Sequence, residues 1–140
     1  MRLTEQTRYA LHVLAYCAAQ HPTLAKVAAI AAGTGITEQN IFKLIKTLTK
    51  ARLVETIRGP HGGVRLAKAP GAIRVGQVIR AIEPRFKSCG PLGLMMSEEP
   101  VSAVERELDQ AIGRGIAAFM DTLDRTTIAA LLEKRPANAA

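Results

Sequence analysis

The stretch that decides the fold runs from Thr37 to Leu66 and is written TEQNIFKLIKTLTKARLVETIRGPHGGVRL. Its first half places apolar residues at the i, i+3, i+4, i+7 spacing of a helix face: Ile41, Leu44, Ile45 and Leu48. Its second half holds two short runs rich in Val, Ile, Leu and Thr, Leu53–Ile57 and Gly63–Leu66, with the turn-forming sequence GPHG between them. The stretch therefore predicts a helix followed by a β-hairpin.

Two further helices are predicted upstream of this stretch. The segment from Thr4 to Ala19 has one apolar face, and Thr4 can cap it, with Thr7 as a second possible start. The segment from Leu24 to Ala32 is a short, alanine-rich helix. The glycines that follow it permit the tight turn of a helix-turn-helix. Together with the hairpin, these helices predict a winged helix-turn-helix.

The positive charge of the chain is concentrated in the same region. The net charge of the whole chain is +7, and +5 of it lies between residues 38 and 68. The basic residues there are Lys43, Lys46, Lys50, Arg52, Arg58, Arg65 and Lys68, and the acidic ones are Glu38 and Glu55. A basic stretch alone is typical of any solvated surface. Because it coincides with the winged-helix pattern, we interpret it as a surface that binds double-stranded DNA.

The start of the third helix is predicted to contact base edges in the major groove. The candidates are Thr37, Glu38, Gln39, Asn40 and Lys43. Gln and Asn can pair with adenine, Glu can accept from cytosine, and Lys can donate to guanine. For Thr37 and Asn40 a second interpretation stays open, in which they only cap and stabilise the helix start.

Other basic residues are predicted to contact the DNA backbone. Lys46, Lys50 and Arg52 lie further along the helix and suit phosphates, which contribute affinity but not sequence preference. Arg58 and His61 lie at the glycine-rich tip of the hairpin, where they can approach the flanking backbone or minor groove.

The second half of the chain is predicted to be helical around one loop. A helix begins near Val75 and ends before Pro84, and the segment from Arg85 to Pro100 is predicted to be a loop because of its glycines and prolines. A long amphipathic helix then runs from Val101 to Leu123. Thr126 or Thr127 caps a last short helix that ends at Leu132.

We expect the long helix to pair with its copy in a second chain, since a small winged domain cannot bury so long an apolar face. The alternative is that the helix folds back on its own domain. A two-fold dimer also suits a palindromic operator. The fold class is thus mainly α with a small β-hairpin: a winged helix-turn-helix plus a long C-terminal dimerisation helix. The expected division is residues 1–84 for DNA binding, 85–100 as effector or sensor loop, 101–134 as dimerisation helix and closing turn, and 135–140 as a flexible tail.

Several classes of function are disfavoured by composition. No apolar run approaches the roughly 18 residues of a membrane span, and charged residues interrupt the apolar N-terminus, which makes it a poor secretory signal. We therefore expect a cytoplasmic protein. The three histidines are scattered, and no nucleophile elbow, HExxH or phosphate-loop motif is present, so an enzyme is not expected.

Four segments resemble a known family. They are MRLT with TRYALHVL, the stretch ITEQNIFKLIKTLTKARLVETIRGPHGGVRLAK with its RGxxGG tip, AIRVGQVIRAIEP, and FMDTLDRTTIAALL. The chain resembles the IscR/NsrR/RirA regulators, also called the Rrf-two family of winged-helix transcriptional regulators. The resemblance covers nearly the whole chain. It implies a homodimeric transcriptional regulator, with repression as the expected sign, that responds to iron, nitric oxide or redox state.

The chain departs from that family in its cysteines. Many members hold an iron–sulfur cluster with three loop cysteines, and here only Cys89 stands at such a position. Some relatives add a residue from the N-terminal helix of the partner chain, for which the candidates are Glu5 and His12. Because iron in such clusters prefers thiolates, a cluster is disfavoured, although these three residues stay as metal-ligand candidates.

Two other interpretations of Cys89 remain open: an inert loop thiol, and a redox-active thiol near the positive charges of Arg85 and Lys87. Cys17 lies on the apolar face of the first helix and is expected in the core. The alternative function is a winged-helix regulator without its own cofactor, controlled by a partner protein or a small ligand. Met95 and Met96 in the loop leave room for such a contact.

Overall fold

The structure is a computed structural model that describes residues 2–87 and 102–133. Its elements are α1 (Glu5–Ala19), α2 (Val27–Thr34), α3 (Glu38–Lys50), β1 (Val54–Ile57), β2 (Gly63–Leu66), a 3-10 turn (Pro70–Ala72), α4 (Val75–Ile82), α5 (Pro84–Lys87), α6 (Ala103–Asp124) and α7 (Ile128–Glu133). The predicted class is confirmed: mainly helical, with one antiparallel hairpin. No helix within the described ranges is both long enough and apolar enough to cross a membrane.

The core forms around α1, which contacts α2, α3, α4, α7 and β2. Its inward face carries fully buried apolar side chains, among them Val13, Leu14 and Cys17. Burial in this apolar surrounding raises the pKa of the Cys17 thiol to about 11. Cys17 is therefore a core residue, as predicted, and holds its proton at neutral pH.

The second helix begins at Val27, not at the predicted Leu24. Ala25 pairs with Val64 of β2 through two backbone hydrogen bonds, each 2.8 Å long. These bonds require an extended backbone at Ala25, so the helix cannot begin before this position. The helix instead continues to Thr34, and Gly35 follows in the left-handed conformation with φ of 71°.

The junction between α3 and the hairpin is a Schellman motif. Arg52 has a φ of 58°, and its N–H donates to the carbonyl of Thr49 at 2.9 Å. The N–H of Leu53 donates to the carbonyl of Leu48, also at 2.9 Å. Leu53 thus belongs to the helix end, and β1 begins one residue later than predicted. β1 and β2 then pair in antiparallel register, with Val54 opposite Leu66.

The C-terminal half of α6 is attached to α4. Arg80 forms two hydrogen bonds to the carboxylate of Asp124, 2.8 and 2.6 Å long. The carboxylate of Asp124 lies close to the backbone of α4, since a Cβ on Gly76 would lie 2.0 Å from its Oδ1. The predicted long helix is thus present from Ala103 to Asp124, and its C-terminal end has a defined position against the winged domain.

The closing helix α7 packs into the winged-helix core. Ile128 is fully buried, and its N–H donates to the carbonyl of Ile73 at 2.9 Å. Of the two predicted caps, Thr127 performs the role, because its hydroxyl accepts from the N–H of Ala130 at 3.1 Å. The end of the chain therefore belongs spatially with its beginning.

Part of the predicted loop is helical. Residues 84–87 form the single turn α5, whereas the sequence predicted a loop from Arg85. The turn is held by Phe86, which is 3% exposed and packs in a cluster with Val75, Ile79 and Met120. The remainder of the predicted loop, including Cys89, Met95 and Met96, lies outside the described residues.

Candidate nucleic-acid interface

The helix α3 separates an apolar inner face from a polar outer face. Its four predicted stripe residues, Ile41, Leu44, Ile45 and Leu48, are all buried. The predicted DNA-contacting side chains on the outer face are exposed: Glu38, Gln39, Lys43, Lys46 and Lys50. The structure therefore leaves this face open to a partner.

Thr37 acts as the N-cap of α3. Its hydroxyl accepts from the backbone N–H of Asn40 at 3.4 Å. Thr37 is exposed, whereas Asn40 is half-buried. The capping interpretation thus accounts for the hydroxyl of Thr37, and a DNA contact by either residue stays a prediction.

The basic side chains at the outer face keep unpaired charges in the part of the chain that the structure describes. Within residues 2–87 and 102–133, no salt bridge involves Lys43, Lys46, Lys50 or Arg52. All four are exposed. Their charges are available to a polyanion, and phosphates are the groups such charges neutralise most readily in DNA complexes.

The tip of the wing is a tight glycine turn. The N–H of Gly62 donates to the carbonyl of Gly59 at 3.0 Å, and Gly59 has a φ of 105°. A Cβ on Gly62 would lie 1.9 Å from the carbonyl oxygen of Ile57, so only glycine fits there. The turn leaves Arg58 and His61 exposed, as a contact with DNA requires.

The wing is attached to the start of α2. The ammonium group of Lys26 donates to the carbonyl of Pro60 at 2.6 Å. Together with the pairing of Ala25 and Val64, this contact connects the helix-turn-helix directly to the wing tip. Sequence reasoning missed Lys26, because no local pattern indicates a contact between residues 34 positions apart.

Arg65 does not contribute a free charge to the wing. Its Nε donates to Oε1 of Glu55 at 2.5 Å, and the two residues are directly opposite in the hairpin register. This cross-strand pair cancels one charge of each sign. The positive excess of the region therefore lies on α3, on Arg52, on Arg58 and on Lys68.

The predicted metal-ligand candidates are only partly described. The carboxylate of Glu5 pairs with Arg8 at 3.0 Å, and the hydrogen bond from Arg8 lowers the pKa of Glu5. His12 is exposed on the same helix. In the part of the chain that the structure describes, no three His, Cys, Asp or Glu side chains come together as a metal site. The candidate Cys89 lies outside the described residues, so the metal-ligand set of Cys89, His12 and Glu5 stays a prediction.

A buried carboxylate that sequence reasoning missed connects α1 to the end of α4. Glu83 is 4% exposed, and its Oε1 accepts from the N–H of Thr4 at 2.7 Å and from the hydroxyl of Thr7 at 2.5 Å. The Thr4 hydroxyl also donates to it, so Thr4 does not cap α1 through its side chain as predicted. Thr7 lies inside α1 and does not start it.

The pKa of Glu83 reflects two opposing effects. Burial on its own raises the pKa of the carboxyl group, whereas the hydrogen bonds from Thr7 and Thr4 lower it. The net result is a pKa below the ordinary value, because the hydrogen-bond donors favour the charged form. Glu83 is therefore an ionised group at neutral pH, immediately before α5 and the predicted effector loop.

Comparison with known proteins gives consistent matches. The family model described as "Rrf2: Iron-dependent Transcriptional regulator" matches residues 3–134. The HTH-type transcriptional regulator NsrR of Geobacillus kaustophilus is 37% identical over 136 residues, which cover 96% of this chain and 92% of that protein. Among solved structures, CymR, the global cysteine regulator of B. subtilis, is similar with a TM-score of 0.72 and 26% identity, over 97% of this chain and 99% of that one. T. potens IscR is similar with a TM-score of 0.68 and 26% identity, over 100% and 92%.

Proposed function

Because this chain belongs to the Rrf2 (Rrf-two) family of DNA-binding transcriptional regulators, we propose that it represses transcription by binding a palindromic operator as a homodimer in the cytoplasm. Members of this family are regulators and not enzymes. The observation that carries the proposal is the outer face of α3, which is exposed, basic and without salt bridges in the described chain. The ordered wing beside it supplies a second contact region.

In this proposal α3 enters the major groove. Glu38, Gln39 and Lys43 contact base edges there, because the N-terminal residues of a recognition helix lie nearest the bases. Thr37 and Asn40 assist at the helix start. Lys46 and Lys50 contact phosphates, because they lie about one and two turns beyond Lys43 along the helix.

The wing contacts the flanking backbone or minor groove through Arg58 and His61. Both side chains are exposed at a tip whose position is restrained by Lys26 and by the turn at Gly62. A restrained tip loses little conformational freedom on binding, and this favours affinity.

The exposed half of α6 supports a homodimer. The helix has 22 residues and is about 33 Å long. Near its C-terminal end Met120 is 5% exposed, whereas Val104 and Leu108 near its start are 77% and 43% exposed. An apolar stripe left open in this way is the feature of interaction surfaces. We propose that α6 of a second copy covers this stripe. The chain would then divide into residues 1–84 for DNA binding, 101–134 for pairing and closing turn, and 135–140 as a tail.

Selection of DNA from a random pool with the purified protein tests the operator. We expect an inverted repeat with half-site centres about 34–36 Å apart, one turn of DNA or a multiple of it. Affinity for the selected site should fall steeply with added salt. Enrichment of no sequence, together with no salt-dependent binding, would exclude the proposal. Repression is then tested with a reporter whose promoter carries the selected site; increased transcription would indicate an activator.

Sedimentation velocity at micromolar concentration tests the dimer. Wild-type protein should sediment as a dimer, and Leu108→Glu should shift it towards monomer, because a charge would be buried in an apolar contact. Gln110→Glu is the matched control, since it adds the same charge at an exposed position of the same helix outside the apolar stripe. A monomeric wild-type protein would exclude the homodimer.

We place the effector region at residues 85–100, which include most of α5 and precede α6. The support is the contact of Glu83 with Thr4 and Thr7, which joins the start of that region to the first helix of the DNA-binding domain. Iron and sulfide content after purification without oxygen, compared with Cys89→Ser, tests for a cluster. Stoichiometric iron that is lost in Cys89→Ser would establish one. An iron-free protein that binds DNA would favour the alternative control by a thiol, a small ligand or a partner protein.

A further inference from the structure

One large apolar side chain lies on the polar face of α3. Phe42 is 54% exposed, while the other large apolar residues of this helix, Ile41, Leu44, Ile45 and Leu48, are all buried. The phenyl ring belongs to neither of the two hydrophobic clusters of the fold. The ring is therefore not part of either core cluster.

The neighbours of Phe42 are the residues proposed to contact DNA. Residues three and four positions apart lie next to each other on a helix surface. Gln39 and Glu38 thus lie one turn before Phe42, and Lys46 lies one turn after it. All three are exposed. A phenyl ring in this position is located between the side chains that would contact base edges and one that would contact a phosphate.

Only one base presents an apolar group in the major groove. Thymine carries a C5 methyl group there, whereas the other edges offer hydrogen-bond donors and acceptors, which a phenyl ring cannot pair. A ring that entered the groove opposite donors and acceptors alone would remove water from them without replacing its hydrogen bonds. Opposite a thymine methyl group, the same ring removes apolar surface of both the ring and the methyl group from water.

We propose that Phe42 is a specificity-determining residue that contacts a thymine methyl group in each half-site of the operator. This inference rests on the proposed binding of α3 in the major groove. It adds an apolar component to a recognition surface that is otherwise charged and polar. A single isolated apolar residue on a protein surface is common, and it is the placement among Glu38, Gln39 and Lys46 that indicates this role.

Replacement of thymine by uracil tests the inference, because it removes the C5 methyl group and retains the base pair. Each thymine of the selected site is replaced in turn in one half-site, and affinity is measured by fluorescence anisotropy. We expect wild-type protein to bind about 3- to 5-fold more weakly at one position, the effect of one buried methyl group. A thymine outside the site is the control and should show no change.

The variant Phe42→Ala tests whether the phenyl ring causes the preference for thymine over uracil. It should bind thymine and uracil equally at that position, while retaining its preference for the site over random DNA. Leu131→Ala is the matched control, because Leu131 is an exposed apolar residue of α7, 40% exposed, and its loss should leave the methyl preference intact. Phe42→Leu should retain part of the preference, since the leucine side chain can also bury the thymine methyl group.

The outcomes separate this inference from the proposed function. If wild-type protein binds every uracil-substituted site as tightly as the thymine-containing site, the role of Phe42 is overturned, and DNA binding is still established. An unchanged methyl preference in Phe42→Ala would also overturn it. Absence of any salt-dependent DNA binding would instead remove the proposed function on which the inference depends.

Discussion

The hydroxyl of Thr7 donates a hydrogen bond of 2.5 Å to the carboxylate of Glu83, a residue 76 positions further along the chain. Thr4 adds its N–H and its hydroxyl to the same oxygen. The start of α1 is thereby attached to the end of α4, next to the entry of the proposed effector region. Because Thr7 and Glu83 are buried, these two groups lose their water contacts and depend on each other for hydrogen bonding.

Substitution of Glu83 by alanine should destabilise the fold by about 1–3 kcal/mol, since it leaves the hydroxyl of Thr7 buried without its acceptor. Urea unfolding measures the change in free energy. Glu133→Ala at the exposed end of α7 is the control and should have little effect. Equal stability of the two variants would mean that the Glu83 contact contributes nothing.

The contribution of Glu83 should also depend on pH. Its pKa in the folded protein is lowered, so its contribution is present above the unfolded pKa of about 4.3 and is lost as the pH falls through the lower folded value. Glu83→Gln should therefore flatten the decline of stability below about pH 4.3. Unfolding curves from pH 7 to pH 3 measure this slope, and identical slopes in variant and wild type would contradict the assignment.

Arg52 separates stability from DNA affinity. It adopts the left-handed conformation, with a φ of 58°, which glycine adopts without the steric cost of a side chain. Arg52→Gly should stabilise the fold by about 0.5–1 kcal/mol, which a higher melting temperature would show. It should also weaken DNA binding, because it removes the proposed phosphate contact. Arg52→Ala is the control: it loses the same charge but retains the Cβ, so only affinity should fall. A glycine variant no more stable than the alanine variant would contradict this account.

Gly62 should tolerate no side chain. Because a Cβ there would lie 1.9 Å from the carbonyl oxygen of Ile57, Gly62→Ala should force the wing turn open and cost about 1–3 kcal/mol. DNA affinity should decrease as well, since Arg58 and His61 would be displaced. Gly71→Ala is the matched control, because nothing lies within 4 Å of its added Cβ. Thermal unfolding and anisotropy on both variants make the comparison.

Lys46 should provide affinity without sequence preference. Lys46→Ala should weaken binding to all DNA and reduce the slope of log affinity against log salt by about one unit, the effect of one lost phosphate contact. Glu38→Ala and Gln39→Ala should instead change the preferred sequence. Arg114→Ala on exposed α6 is the charge-matched control. An unchanged slope in Lys46→Ala would mean that this residue does not contact a phosphate.

Some of the fold could be predicted because its causes are local. The spacing of Ile41, Leu44, Ile45 and Leu48 is a property of one helix, and the structure buries all four. The glycine turn between β1 and β2 likewise depends on four adjacent residues. The site prediction on α3 followed from the same periodicity, since a buried stripe determines which side chains remain outside.

Other features could not be predicted because their causes are distant. The later start of α2 depends on backbone pairing of Ala25 with Val64. The turn α5 forms because Phe86 packs against α4 and α6. Phe42 was overlooked among the polar residues of α3, although its position outside the apolar stripe was a signal that could have revealed it.

The amino-acid sequence by itself determined the winged-helix pattern and the basic face of α3, because periodicity, charge and turn residues act over three or four neighbouring positions. It also indicated the family, through a resemblance that covers nearly the whole chain. Only the tertiary structure decided that Lys26 restrains the wing, that α7 completes the core and that Glu83 connects α1 to the end of α4. These contacts join residues that are 34 or more positions apart. Their formation depends on which surfaces meet once apolar faces are buried, and no local pattern contains that information.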